Sequence, residues 1–248
     1  MIVGLLVGKD RSVGCPGKHG KLLLGRPVAE YPLIAAQGCS RIERLFVSTD
    51  SQFIAEIGCK YGGIYLPRPK ELAQPDTLLE DSLVFAYKQM TELIGNVIDI
   101  VVLFFANSPM VNPELIDKGI RALIDNPEFD TAFSVSKFNM FSPARAHKID
   151  GHNAIQSFID LKYLGDLTSI RDSQGDCYFC DLQVQVMRAR CFTDMWNGQL
   201  PYRWMGKKSY ALKNDYGFDI DYEWQIPVAE HWLITHGFTD EIIPWCQN

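Results

Sequence analysis

Two aspartates near the end of the chain have a spacing that suits a divalent cation. Asp219 and Asp221 are separated by one residue, and in an extended segment residues i and i+2 project to the same side. Paired carboxylates, completed by water and phosphate oxygens, are typical of a magnesium–nucleotide site. The pair therefore predicts such a site. The alternative for Asp221 is that it caps a helix beginning at Tyr222, which leaves Asp219 unexplained.

The segment that follows the first apolar run is rich in glycine and basic residues. Glycines let backbone N–H groups approach a phosphate closely, and lysines add charge. The segment has neither the GK[ST] of a Walker A loop nor GxGxxG. It predicts an anion-binding loop, with a solvated turn of the same composition as the alternative. Its candidate ligand contacts are Gly8, Lys9, Arg11, Ser12, Gly14 and Lys18.

Two further loops carry polar residues that suit a bound ligand. Arg68 stands between Pro67 and Pro69, so it lies on a stiff extended segment and loses little entropy when it binds. An ordinary surface loop is the alternative there. Asn107 and Ser108 follow a long apolar run directly, where the substrate loop of an open sheet lies.

Apolar runs and amphipathic stretches alternate in the order that an open sheet requires. Strand–helix–strand alternation predicts a mostly parallel α/β sheet, in which ligands bind beyond the carboxyl ends of the strands. The ligand loops are then expected at 8–20, 66–77, 105–112 and 214–221. The predicted strands are Ile2–Val7, Arg44–Thr49, Ile98–Phe105, Thr131–Ser136 and Phe179–Val186. The predicted helices are Pro32–Gln37, Ser51–Tyr61, Leu78–Ile94, Leu115–Ile124 and Tyr222–His236.

Composition excludes several classes of protein. The 248 residues are 47% hydrophobic and 22% charged, which is typical of a globular domain rather than a disordered chain. A net charge of −6 disfavours nucleic acid as a partner. Seven cysteines at irregular spacing indicate no disulfide framework. No apolar stretch reaches the roughly 20 residues of a membrane span, so we expect a cytoplasmic protein.

Taken in order, these stretches resemble the acylneuraminate cytidylyltransferase family, which contains CMP-sialic acid synthetases and is related to CMP-Kdo synthetases. The resemblance includes Val47–Asp50, Arg68–Leu72 and Asp219–Asp221, and it covers nearly the whole chain. It implies a single domain, residues 1–248, with a Rossmann-like three-layer nucleotidyltransferase fold and a mostly parallel sheet. It also implies a homodimer built by an inserted dimerisation subdomain, which would account for residues 137–177.

The resemblance also implies roles for individual residues. Asp219, Lys18 and Lys9 would be catalytic, the lysines acting on the phosphates of CTP. Asp219 and Asp221 would hold Mg²⁺. No side chain is an obvious general base, and Asp219, with help from the metal, is the first candidate. Besides the glycine-rich loop, the nucleotide would be held by Arg68 next to the cytidine, with Asp81 and Ser82 nearby.

Four positions depart from the family's pattern. The lysine after the loop serine is replaced by Val13, and an asparagine that follows the second lysine is replaced by His19. The family's QPTSP is replaced by Phe105–Pro109, and its NGAIY strand appears as Asp181–Gln185. The last two changes lie where the acceptor sugar should bind. The acceptor contacts implied there are Asn107, Ser108, Asp181 and Gln183.

The sequence therefore predicts a magnesium-dependent transfer of CMP from CTP to an acidic acceptor, with release of pyrophosphate. An ulosonic acid such as a sialic acid is the default acceptor. A phosphonate or another small acidic metabolite is the alternative, and a nucleotide-binding homologue without catalysis is a second. An NAD-dependent oxidoreductase is disfavoured because GxGxxG is absent.

Overall fold

The apolar runs of the sequence form the central strands of one seven-stranded sheet. The computed structural model describes residues 1–10, 14–165, 167–170 and 173–245. The strands are β1 (Ile2–Gly8), β2 (Leu22–Leu23), β3 (Arg26–Pro27), β4 (Arg44–Thr49), β5 (Ile64–Pro67), β6 (Ile100–Phe105), β7 (Thr131–Lys137), β8 (His147–Ile149), β9 (Ile155–Ser157), β10 (Tyr178–Arg188) and β11 (Ser209–Asn214). The helices are α1 (Tyr31–Gln37), α2 (Gln52–Lys60), α3 (Leu79–Ile94), α4 (Pro113–Asp125), α5 (Arg190–Thr193) and α6 (Gln225–Thr235).

The order of the seven strands is β11-β7-β10-β6-β1-β4-β5. β10 runs antiparallel to both of its neighbours, and the other four pairings are parallel. From β1 the chain moves outward through β4 to β5, and it then returns to place β6 on the other side of β1. Such a reversal opens a crevice beyond the carboxyl ends of the strands. The predicted, mostly parallel α/β sheet is confirmed.

Helices cover both faces of the sheet and give three layers. On one face, α1, α2 and α4 bury side chains such as Leu33, Ile54 and Ile116 against the strands. On the other face, α3 and α5 contribute Leu83 and Phe192 to a separate apolar cluster. Strands buried on both faces read as continuous apolar runs, which explains why they were recognisable in the sequence.

Some element boundaries differ from the prediction. α4 begins at Pro113, and Asn112 caps it by accepting a hydrogen bond from the backbone N–H of Leu115 at 2.8 Å. The last helix begins at Gln225 rather than Tyr222. Leu93, near the end of α3, is 58% exposed and does not belong to the buried face of that helix.

The segment between β7 and β10 leaves the central sheet. It contains the β8–β9 hairpin, whose six strand residues are all exposed and which forms a two-stranded sheet of its own.

The helices were also compared with the length of a membrane span. Within the described ranges, no helix is both long and apolar enough to cross a bilayer.

Candidate functional site

A cleft of about 320 Å³ opens at the carboxyl ends of the central strands. It lies at the reversal between β1 and β6, where an open α/β sheet binds its ligands. Three of the four predicted ligand loops contribute to its walls. The residues that line it are Val7, Gly8, Lys9, Lys18, His19, Arg68, Thr77, Leu79, Ser82, Phe105 and Asn107.

The glycine-rich loop carries two lysines to this cleft. Lys9 follows β1, and its Nζ donates to the carbonyl of Gln74 at 3.0 Å. Lys18 begins a single 3₁₀ turn that follows Gly17, whose φ of 68° is a left-handed conformation that glycine adopts without strain. Gly8 also lines the cleft, as predicted for a close backbone approach. Arg11 and Ser12 lie outside the described residues.

The fourth predicted loop, residues 214–221, joins the cleft through side-chain contacts. Lys18 Nζ donates to Asp221 Oδ1 at 2.6 Å across 203 residues of sequence. Asn107 Nδ2 donates to Asp219 Oδ2 at 3.0 Å. The backbones of the two loops also pack closely: a Cβ on Gly14 would lie only 2.6 Å from the carbonyl oxygen of Asp221. The structure therefore brings Lys18, Asn107 and the two aspartates together at one rim.

Asn107 fixes the position of the aspartate loop. Its carbonyl accepts from the backbone N–H of Ile220 at 2.8 Å, and its Nδ2 also approaches the Ile220 carbonyl at 3.2 Å. Gln225 Oε1 accepts from the backbone N–H groups of Asp221 and Tyr222, at 2.7 Å each. Since Gln225 satisfies these two groups, the turn at 221–224 precedes the helix, and the Asp221 side chain pairs with Lys18.

The two aspartates differ in their surroundings. Partial burial raises the pKa of Asp219, and the nearby Asp221 raises it further, while Lys18 and Asn107 oppose the shift. The Asp221 side chain is half exposed. Within the described residues, no three His, Cys, Asp or Glu side chains gather to hold a metal ion. Two carboxylates alone suit Mg²⁺, which keeps several waters and takes its remaining ligands from phosphates.

Arg68 is buried although it stands in a loop. It is 6% exposed, and its Nη2 donates to the carbonyl of Ser48 at 2.9 Å. Its Nε has no hydrogen-bond partner among the described residues. Burial lowers the pKa of this guanidinium, and Asp50 opposes the shift. The alternative of an ordinary surface loop is wrong here, because Arg68 is buried. It offers a desolvated donor group beside the cleft, and such groups are costly unless something binds them.

Two residues of α3 were predicted near the nucleotide. Ser82 lines the cleft, and its Oγ donates to the carbonyl of Leu72 at 3.2 Å. Asp81 is partly buried on the first turn of the same helix but does not line the described part of the cleft. The structure therefore places only Ser82 where a ligand would contact it.

Asp181 and Gln183 lie in a buried network rather than on the cleft walls. The Asp181 carboxylate accepts from Ser134, from Ser136 Oγ at 2.6 Å and from Asn214 Nδ2 at 3.0 Å. Gln183 Oε1 accepts from the backbone N–H of Met110 at 2.9 Å. Both residues are at most 3% exposed. Ser108 is likewise fully buried. Their predicted contact with the acceptor stays a prediction.

The sequence interpretation missed His19 as part of the site. Its side chain is 7% exposed and lines the cleft next to Lys18. Burial and the charge of Lys18 lower its pKa to about 4, while Asp10 and Asp50 oppose the shift. The imidazole is therefore neutral near pH 7. The sequence did contain an indication that His19 belongs to the site, because it follows Lys18 directly in the glycine-rich loop.

The sheet order, the three layers and the cleft define an α/β nucleotidyltransferase fold. A family model described as "Cytidylyltransferase" matches residues 10–191. The chain belongs to the cytidylyltransferase family, and the predicted resemblance to its acylneuraminate members is confirmed.

Relatives are similar at low identity. N-acylneuraminate cytidylyltransferase A of Danio rerio is 25% identical over 96% of this chain, which spans only 52% of that relative. CMP-N,N'-diacetyllegionaminic acid synthase of Legionella pneumophila is 26% identical over 77% of this chain and 82% of its own length. Among solved structures, a CMP:2-keto-3-deoxy-manno-octonic acid synthetase complexed with CTP has a TM-score of 0.64 at 12% identity, covering 95% of this chain and 99% of that one. That structure supports the fold alone.

Proposed function

We propose that this protein transfers CMP from CTP to an ulosonic acid, with Mg²⁺, and releases pyrophosphate. The observation that carries the proposal is the junction at the cleft rim, where Lys18 of the first loop donates to Asp221 of the aspartate pair at 2.6 Å. A cytidylyltransferase fold supplies the nucleotide cleft, and the junction supplies a phosphate-binding cation beside two metal-binding carboxylates. The names of the relatives favour an ulosonic acid as the acceptor.

In this proposal the chain contributes mainly position and charge. Lys9 and Lys18 bind the phosphates of CTP, and the desolvated Arg68 lies beside the base. Asp219 and Asp221 hold Mg²⁺, which offsets negative charge on the phosphates. A hydroxyl of the acceptor forms a bond to the α-phosphorus as the bond between that phosphorus and the α–β bridging oxygen breaks, and pyrophosphate leaves with the bridging oxygen. Asp219 is the candidate that accepts the proton of the hydroxyl. Preorganised charge of this kind is the main source of rate in phosphoryl chemistry.

The direct test is an assay of the purified chain with each acceptor class. CTP, UTP, GTP and ATP are each combined with a sialic acid, 3-deoxy-manno-octulosonate and a phosphonate, with MgCl₂ or with EDTA. We expect pyrophosphate and a CMP-linked product from CTP and an ulosonic acid in MgCl₂ only. Product from the phosphonate alone would assign the second acceptor class. CTP binding without any product would indicate a homologue that has lost catalysis.

Replacing the partly buried aspartate tests the site itself. Asp219→Asn removes one metal ligand and should lower kcat/KM by roughly 100-fold or more, the range found when a transition-state contact is lost. Circular dichroism should show an unchanged fold. Asp215→Asn is the matched control, because Asp215 is an exposed acid of the same loop. Near-normal turnover of Asp219→Asn would remove Asp219 from the mechanism.

We also propose that the protein is a homodimer and that residues 137–177 form the contact. The exposed hairpin β8–β9 and a group of aromatic side chains around Phe138 support this proposal. Ring centroids of Phe138 and Phe141 lie 6.0 Å apart, and those of Phe138 and Tyr216 lie 6.4 Å apart. Phe141 and Tyr216 are exposed, and exposed aromatic groups are enriched at protein interfaces.

A further inference from the structure

The ammonium group of Lys18 lies where a cation bound to Asp221 would be. Its Nζ is 2.6 Å from Asp221 Oδ1, and its side chain is 10% exposed whereas that of Asp221 is 52% exposed. We propose that Lys18 stands in for the metal while no nucleotide is bound, and that it releases Asp221 to Mg²⁺ when the phosphates of CTP arrive. The inference rests on the proposed use of CTP and Mg²⁺ at this site.

The backbone around Lys18 is fixed while its side chain is able to turn. The N–H of Lys18 donates to the carbonyl of Cys15 at 3.2 Å, and Gly14 packs against the carbonyl of Asp221. The lysine stem is flexible and carries three donors that need no fixed plane. Since Lys18 also lines the cleft, its ammonium has two anionic partners within reach: Asp221 at the rim and a phosphate inside the cleft.

The two cations compete for the same carboxylate. Mg²⁺ binds carboxylate oxygen at about 2.0–2.1 Å in a strict octahedron, so an ammonium on the same oxygen would face a divalent charge at close range. Asp219 does not offer the displaced ammonium a free carboxylate, because in the proposed function it binds the same metal. A metal that binds alone must therefore displace Lys18 without a new anion for it. Nucleotide phosphates supply that anion, so metal and nucleotide should each strengthen the binding of the other by the same factor.

Manganese binding to the nucleotide-free protein tests this directly. Mn²⁺ prefers the same oxygen ligands, and its free concentration is measured by electron paramagnetic resonance. Lys18→Met keeps an unbranched stem of about the same length but removes the competing charge. We expect Mn²⁺ alone to bind Lys18→Met roughly tenfold more tightly than wild type, a factor equivalent to about 1.4 kcal/mol. Equal or weaker binding would overturn the inference.

Lys21→Met is the matched control. Lys21 carries the same charge three residues later in the chain, but its Nζ pairs with Glu223 Oε1 at 3.0 Å rather than with Asp221. Its replacement should change the Mn²⁺ affinity less than about twofold, as for an exposed ion pair. A gain equal to that of Lys18→Met would show a general charge effect and overturn the inference. Lys18→Gln is the second variant should Lys18→Met fail to fold.

Equilibrium dialysis of labelled CTP separates this inference from the proposed function. In wild type, Mn²⁺ should strengthen CTP binding, and in Lys18→Met that strengthening should shrink roughly tenfold, since no lysine is left to be released. If Mn²⁺ strengthens CTP binding equally in both proteins, the inference fails and the proposed function stands. If Mn²⁺ does not affect CTP binding to wild type, both fail.

Discussion

A buried imidazole that lines the cleft should make the fold sensitive to acid. The pKa of His19 is lowered from 6.5 to about 4. Between these two pH values its imidazole is therefore protonated in the unfolded chain and neutral in the folded chain. The free energy of unfolding should therefore fall as the pH drops from 6.5 to 4, by roughly 3 kcal/mol from this group. Urea unfolding at a series of pH values measures it.

The matching variant is His19→Asn, which keeps a polar side chain but cannot take up the proton. Its stability should depend less on pH between 6.5 and 4 than that of wild type. His152→Asn, at an exposed histidine, should leave the pH dependence unchanged. If His19→Asn and wild type lose stability in parallel as the pH falls, burial of His19 is not the cause.

At the level of single residues, the sequence predicted part of the candidate site. The i, i+2 spacing of Asp219 and Asp221 predicted a metal site, and the glycine-rich loop predicted an anion-binding site. The structure brings the two stretches to one rim of the cleft. The contact between the two stretches could not be predicted, because Lys18 and Asp221 are separated by 203 residues and are brought together only by the tertiary fold. Burial of Arg68 was missed for the same reason, since flanking prolines describe the backbone and not what covers it.

Among the elements, the strands at the two sheet edges were the hardest to predict. The central strands are covered on both faces and read as apolar runs. β5 and β11 lie at the edges, and each has only one buried residue, Leu66 and Leu212. Their sequences Ile64–Pro67 and Ser209–Asn214 mix polar and apolar residues without a clear period. Edge strands of this kind look like loops in a sequence.

β10 also departs from a regular strand, and a buried carboxylate braces it. The pairing with β7 shifts between Cys180 and Gln185, and Leu182 has a φ of 59°, a left-handed conformation that costs roughly 1–2 kcal/mol for a residue other than glycine. Asp181 sits at this bulge and links β7, β10 and β11 through its hydrogen bonds.

Asp181→Asn should therefore destabilise the fold. An amide replaces one acceptor oxygen by a donor, which leaves hydroxyl and amide donors of the network unpaired. We expect the free energy of unfolding to fall by about 2–4 kcal/mol in urea denaturation at pH 7. The exposed Asp215→Asn serves again as the control and should change it by less than about 0.5 kcal/mol. A stable Asp181→Asn protein with a raised KM for the acceptor alone would instead support direct contact with substrate.

At the scale of the whole molecule, the segment between β7 and β10 exposes several large apolar side chains to solvent. Ile149 and Ile155 face each other across the hairpin and are 73% and 71% exposed. Burial of such side chains against a second copy would contribute roughly 25 cal/mol per Å². The protein should therefore elute from size-exclusion chromatography with light-scattering detection at twice the 28.1 kDa mass of the chain.

Charges placed on the hairpin should break this dimer. Asp at both positions, in the double variant Ile149→Asp/Ile155→Asp, puts two carboxylates in the contact and should give the mass of one chain, because unpaired charges at a buried interface cost several kcal/mol. Val97→Asp is the control: Val97 is 70% exposed and follows α3, outside the 137–177 segment, so the dimer should persist. A wild-type protein of 28.1 kDa, or a double variant that remains a dimer, would show that this surface is not the contact.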